Sequence, residues 1–212
     1  MSTEIERGLD PAALDWTKQG GLIPAIVQDA ASRRVLMLGY MNREALEITL
    51  ACGRVTFFSR SKGRLWTKGE SSGNYLRLRA IETDCDSDAL LLQAEPDGPT
   101  CHLGRASCFA SAPEDFLGTL DAFIAQRRRE LPEGSYTTRL FSAGTKRIAQ
   151  KVGEEGVETA LAAVAGDADE LRNEAADLLY HLIALLHATG LSLDDVRQTL
   201  AARHAASTAS TP

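Results

Sequence analysis

The hydrophobic pattern changes period near residue 112, and a chain that does so cannot fold as one uniform layer. Before that point, short apolar runs at 22–29, 35–40, 55–59, 65–68, 75–82 and 89–95 are bounded by glycines and polar turn residues, and each reads as a strand. Residues 31–34 form the turn between the first two. Asn42 stands where an N-cap belongs, ahead of a helix running to about residue 51 with Glu44 and Glu47 near its start. After a short linker at 110–114 the pattern is helical only. Helices are expected at 115–130, about 143–164, 168–188 and 192–204, with Ser135 capping the segment after Pro132 and Gly134. The tail from 205 is small and polar, and is expected to fray. The expectation is two domains: residues 1–112 as a mostly antiparallel α+β domain, and 113–212 as an all-α helical bundle.

The chemistry of the first half concentrates in DCDSDALLLQAEPDGPTCHLGRASC, residues 84–108. Asp84, Asp86 and Asp88 alternate with Cys85 and Ser87, and Cys101 and Cys108 follow. Thiolates suit a borderline cation such as zinc, whereas carboxylates suit a hard one such as magnesium. If 84–88 is extended, alternation places the three aspartates on one face and Cys85 on the other. The competing reading is an acidic turn beside buried thiols, and no CxxC pair is present to decide between them.

Composition narrows the class. With 44% hydrophobic and 25% charged residues among 212, the chain has the balance of a soluble globular protein, and no apolar run approaches the roughly 20 residues of a membrane span. The first ten residues lack the basic and apolar regions of a signal peptide, so a cytoplasmic location is expected. Four cysteines then favour metal ligation or catalysis over disulfides. A net charge of −6 argues against general nucleic-acid binding. One basic segment stands against that trend: Arg54, Arg60, Lys62, Arg64, Lys68, Arg77 and Arg79. It is either a solvated surface or a phosphate cradle. In the cradle reading Arg60, Lys62, Lys68, Ser71 and Ser72 grip a phosphorylated ribose, while Trp66 either stacks on a base or packs internally.

A second acidic constellation lies in the helical half. GEEGVE supplies Glu154, Glu155 and Glu158, and NEAADLLYH supplies Glu174 and Asp177. Glu154 and Glu158 share a face, Glu155 lies about 100° around, and Glu174 and Asp177 share a face of the next helix. Carboxylates bordering a bundle core are costly unless paired or metal-bound. Packed together, the two sets make a magnesium cage, with Lys146, Arg147 and Lys151 placed to hold the phosphates of a nucleotide. The bland alternative is a solvated acidic face supported by Lys151–Glu155 pairing.

These residues carry a resemblance. Residues 5–109 resemble phosphoribosyl-AMP cyclohydrolase through GLIPAIVQDA, VLMLGYMN, FFSRSKGRLWTKGESSGN, DCDSDALLL and GPTCHLGRASCF. Residues 115 to about 204 resemble phosphoribosyl-ATP pyrophosphohydrolase through TKRIAQKVGEEGVETALAA and NEAADLLYHLIALL. The order of the halves is similar to that of the bifunctional histidine-biosynthesis enzymes that join the two activities. One departure is Leu103, where the cyclohydrolases usually have threonine. The resemblance implies that Cys85, Cys101 and Cys108 bind zinc, with Cys85 supplied across a homodimer interface. It implies that Asp84, Asp86 and Asp88 bind magnesium, and that Glu154, Glu155, Glu158, Glu174 and Asp177 form the catalytic magnesium site of the second domain.

The chemistry agrees. Opening a purine ring needs water to attack C6, and zinc brings the pKa of bound water to about 7. His102 either shuttles protons beside that site or closes a structural Cys₃His centre. Three readings compete: a two-step hydrolase, a zinc-stabilised nucleic-acid or partner-binding module fused to a helical dimerisation domain, and a nucleotide-sanitising pyrophosphohydrolase with a vestigial first domain. The first implies small phosphoribosyl nucleotides as partners, neither nucleic acid nor membrane, and exposed apolar surface around 178–186 that a second copy covers.

Overall fold

The computed structural model describes residues 9–209; the leader expectation at the N-terminus and the last residues of the tail lie outside them. The chain divides between Asp115 and Phe116 into two compact units. The first is a mixed, mostly antiparallel sheet assembly and the second is helical.

In the first unit, β1 (Ile23–Asp29) and β2 (Val35–Met41) pair antiparallel. Helix α1 (Arg43–Cys52) follows, its first turn capped by the Asn42 side chain accepting from Ala45 N. Strands β3 (Thr56–Ser59) and β4 (Arg64–Thr67) form a separate hairpin. Strands β5 (Leu76–Thr83) and β6 (Leu90–Pro96) complete a four-stranded sheet of order β2-β1-β6-β5, in which β1 and β6 run parallel. Alternation buries Ile23, Ala25 and Val27 on β1 and Leu90, Leu92 and Ala94 on β6. On β5 the buried set changes phase, from Leu76 and Leu78 to Ile81, because the register shifts between Leu78 and Ala80. Gly39 on β2 admits Phe57 of β3 at a distance no side chain could tolerate: a Cβ there would lie 2.3 Å from the Phe57 ring. Phe57 in turn sits 5.7 Å from Trp66, centroid to centroid, and fixes it.

The second unit contains α2 (Phe116–Glu130), α3 (Tyr136–Ser142), α4 (Thr145–Ala165), α5 (Ala168–Thr189) and α6 (Leu193–Ala209). Its core gathers Ile124, Leu140, Ile148, Ile183 and Ala184. Helices α4 and α5 form a hairpin, α4 capped by left-handed Gly166 and α5 capped by Asp167, whose carboxylate accepts from Asp169 N and Glu170 N. Among the described residues no single helix is long and apolar enough to cross a membrane.

Four expectations need correction. Residues 84–88 are not extended; they form the turn between β5 and β6, with Ser87 at φ 61°. Residues 136–142 are a separate helix, and α4 begins at Thr145 rather than 143, because Gly144 at φ 83°, ψ 166° breaks the helical path. Helix α6 continues to Ala209, through residues expected to fray. Within 178–186 only Leu179 is exposed, with Leu178, Leu182, Leu185 and Leu186 half-buried; larger exposures in this unit include Val157 (59%), Leu161 (63%) and Val164 (89%) on α4 and Phe116 (64%) on α2.

Candidate active sites

The first site is a cavity of about 450 Å³ lined by Trp66, Lys68, Ser71, Ser72, Asn74, Thr100, Cys101, His102 and Cys108, among others. The loop after β6 supplies the two sulfurs. Cys101 N–H donates to Arg105 O (3.0 Å) and Gly104 N–H donates to Cys101 O (3.0 Å), closing a tight turn. Cys108 N–H donates to Leu36 O (2.8 Å), and the Ser107 hydroxyl donates to Val35 O (2.7 Å), pinning the loop to β2. Burial, together with the neighbouring Cys101, pushes the Cys108 thiol up. Lys68 is a buried cation whose Nζ reaches Asn74 O (3.4 Å); burial pulls its pKa down, opposed by the two thiols. A thiol pair facing such a cavity fits zinc by donor chemistry. Arg60 and Lys62 do not line the cavity. Cys85 is exposed on the β5–β6 turn, and the three sulfurs do not form a group of ligand atoms mutually within 4.8 Å.

The same turn gathers Asp84, Asp86 and Asp88, each offering an oxygen within 4.8 Å of the others. The expected grouping is therefore present but arises from a turn, not from strand alternation. Asp84 Oδ1 accepts from Asp88 N (3.0 Å) and Ala89 N (3.1 Å). The backbone hydrogen bonds from Ala89 and Asp88 hold its carboxyl below the usual range. Lys18, which the sequence did not single out, enters this cluster: its Nζ lies 2.6 Å from Asp86 Oδ2 and 3.1 Å from Asp88 Oδ2. Three hard oxygen donors fit magnesium.

Most of the basic segment is internally engaged. Arg54 lies over Tyr75 (4.1 Å) and Arg60 over Tyr40 (3.7 Å), while Arg64 pairs with Glu70 (2.8 Å), Arg77 with Asp97 (2.7 Å) and Arg79 with Glu95.

In the helical unit, Glu155, Glu158 and Glu174 bring carboxylate oxygens within 4.8 Å of one another. The converging pair on α4 is Glu155 and Glu158, one turn apart; of the five carboxylates expected in the site, Glu154 and Asp177 are not among the three that converge. Glu154 is held elsewhere, by Gln150 (2.7 Å), Lys151 (3.0 Å) and Arg147 (3.5 Å). Glu155 is 5% exposed; burial opposes its ionisation, but Lys151 Nζ at 3.1 Å outweighs it and draws its pKa below the usual range. Burial, a hydrogen bond with Glu155 and the charge of Glu158 push Glu174 up to about 7. An adjoining cleft of about 510 Å³ is lined by Tyr136, Lys151, Glu155, Asp177, Tyr180 and His181. Lys146 is exposed on the first turn of α4 and does not line it.

Three lining residues escaped the sequence reading: Tyr136, Tyr180 and His181. His181 is buried, with Nδ1 2.9 Å from Asp177 O and Nε2 2.8 Å from Tyr136 Oη. A carbonyl only accepts, so Nδ1 carries the proton and Nε2 accepts from the Tyr136 hydroxyl. The available signal was position: His181 follows Asp177 by one helical turn.

Family models match both units: phosphoribosyl-AMP cyclohydrolase at residues 37–110 and phosphoribosyl-ATP pyrophosphohydrolase at 117–204. The chain is 66% identical over 203 residues to the histidine biosynthesis bifunctional protein HisIE of Xanthomonas axonopodis pv. citri (strain 306), covering 96% of this chain and 98% of that one. It is 58% identical over 206 residues to the protein of the same name from Escherichia coli (strain K12), covering 96% and 100%. The sheet unit with its thiol cavity and the helical unit with its carboxylate cleft thus match two enzyme domains in the same order along one chain, and the chain belongs to the family of histidine biosynthesis bifunctional proteins HisIE, with cyclohydrolase and pyrophosphohydrolase activities.

Proposed function

We propose that the helical unit acts first, cleaving phosphoribosyl-ATP to phosphoribosyl-AMP and pyrophosphate, and that the thiol cavity then opens the adenine ring of that monophosphate by water attack at C6. The observation that carries this reading is the segregation of donor chemistry, with sulfurs in the cavity of one unit and converging carboxylates in the other. In the helical unit Glu155, Glu158 and Glu174 are the inner magnesium ligands, and Glu154 and Asp177 form the outer acidic rim. Lys151 keeps Glu155 ionised and presents positive charge to an anionic substrate, and Lys146 is an outer phosphate contact.

In the sheet unit Cys101 and Cys108 are zinc ligands, and Cys85 reaches the site from a second copy in a homodimer. What supports this is that Cys85 does not join the other two sulfurs within one chain. Bound zinc supplies Lewis-acid activation of water near neutral pH. The chain's own groups do the rest. Lys68, Ser71 and Ser72 offer a cation and two hydroxyls to a phosphorylated ribose, and Trp66 offers a flat apolar wall to the purine. His102, next to a ligand and facing the cavity, moves protons. Arg60 and Lys62, at the β3–β4 turn, add positive charge to the approach, and Asp84, Asp86 and Asp88 hold magnesium. The arginines of the 54–79 segment are mostly engaged with rings and acids, which favours a small nucleotide over a polynucleotide as the substrate of this unit.

The test is a pair of variants, each assayed on each substrate separately. Glu158→Gln is expected to slow pyrophosphate release on the order of 100-fold and to leave ring opening of supplied phosphoribosyl-AMP unchanged. Cys108→Ser is expected to do the reverse, accumulating phosphoribosyl-AMP and pyrophosphate. Equal loss of both reactions in either folded variant would sink the assignment.

A further inference from the structure

Lys18 is the side chain that enters the aspartate turn from outside it, and its sequence neighbours deliver it there. Asp15 Oδ1 accepts from the Thr17 hydroxyl (2.6 Å), Thr17 N (3.0 Å) and Lys18 N (3.3 Å), which shapes residues 15–18 into a tight bend. Asp15 N–H donates to Ser87 O (2.8 Å), tying that bend to the very turn that carries Asp86 and Asp88. The Lys18 ammonium therefore arrives on a fixed backbone, and it contacts one oxygen from each of those two aspartates.

We propose that Lys18 is an internal cation that competes with the divalent ion for the aspartate turn. The inference rests on reading Asp84, Asp86 and Asp88 as a magnesium site. A magnesium ion binds oxygens at about 2.0–2.1 Å. It cannot take the Asp86 and Asp88 oxygens while an ammonium stays in contact with them, since two cations would then stand within about 4 Å of each other. Binding is an exchange: the ion enters and the ammonium leaves. Without the ion, Lys18 neutralises carboxylates that would otherwise repel one another and open the turn. With it, Lys18 is released as a free amine-bearing side chain at the edge of the site. Asp84 is outside the exchange, anchored by backbone N–H groups and not by Lys18.

The experiment is a Mn²⁺ titration of the full chain, followed by electron paramagnetic resonance of the free ion. Glu158→Gln and Glu174→Gln are included in both proteins, so that binding reports on the aspartate turn alone. Adding Lys18→Met, which keeps the aliphatic length, is expected to tighten Mn²⁺ binding about tenfold, because one positive charge is removed at contact distance in a solvent-exposed setting. Equal or weaker affinity in the methionine protein overturns the Lys18 inference and leaves the cation site standing. No Mn²⁺ binding in either protein, each folded by circular dichroism, overturns both. A second measurement does not depend on the variant: acylation of the Lys18 amine, read by mass spectrometry, is expected to speed up when Mn²⁺ saturates the turn. An unchanged acylation rate at saturation overturns the exchange.

Discussion

Glu174 is the residue whose protonation most constrains the helical site. Its pKa stands at about 7 against an ordinary 4.5, so the native chain holds a proton there that the unfolded chain has already released. A raised carboxyl contributes stability that is fully present below pH 4.5 and is lost as pH rises through about 7. Without divalent ions, the helical unit is therefore expected to lose stability across that window, and Glu174→Gln is expected to flatten the slope in urea melts at successive pH values. Tyr136→Phe tests the neighbouring network: it leaves His181 Nε2 buried without its donor and is expected to cost about 1–2 kcal/mol, measured by urea denaturation. The acidic residues were legible because EExxE and ExxD declare themselves by spacing, but which of them converge was not. Spacing gives Glu154 and Glu158 one face; packing against α5 brings Glu155 to Glu174 in a buried position, while Lys151 pairs with both Glu154 and Glu155. Lys18 was illegible for a different reason: its partner Asp86 is 68 residues away, and no local pattern encodes such a meeting.

At the scale of elements, strands and caps were readable wherever a local rule governs them. Asn42 and Ser135 both cap as their residue type demands. The turn at 84–88 misled because alternating aspartates mimic a strand, whereas the Asp84 carboxylate takes backbone N–H groups from Asp88 and Ala89 and folds the segment back on itself. The α3–α4 break misled because helical periodicity runs on through Gly144. That glycine adopts φ 83°, ψ 166°, a conformation essentially closed to other residues, with open space around a Cβ. Gly144→Ala is thus expected to destabilise the helical unit by about 1–3 kcal/mol through backbone strain alone, and to leave ring opening intact. Thermal melting alongside the two separate assays checks both halves of that expectation.

At the scale of the molecule, the two-unit layout was legible from the change of period. If Cys85 completes a partner's zinc site, then mixing Cys85→Ser with Cys108→Ser after denaturation and refolding is expected to restore roughly a quarter of wild-type ring opening, through mixed dimers that contain one intact site. Neither parent alone is expected to show it, and a mixture no better than its parents would count against a shared site. The stripe Val157–Leu161–Val164 has a consequence of another kind. The helical unit gathers only a small internal core and leaves this apolar row on the same helix that carries Glu155 and Glu158. If a second copy covers the row, the carboxylate site inherits a dependence on abundance: the unit melts at a lower temperature in dilute solution than in concentrated solution, by mass action. A cell making little of this protein would then lose pyrophosphate release as copies separate, and ring opening, whose proposed site is shared between copies, would fail with it.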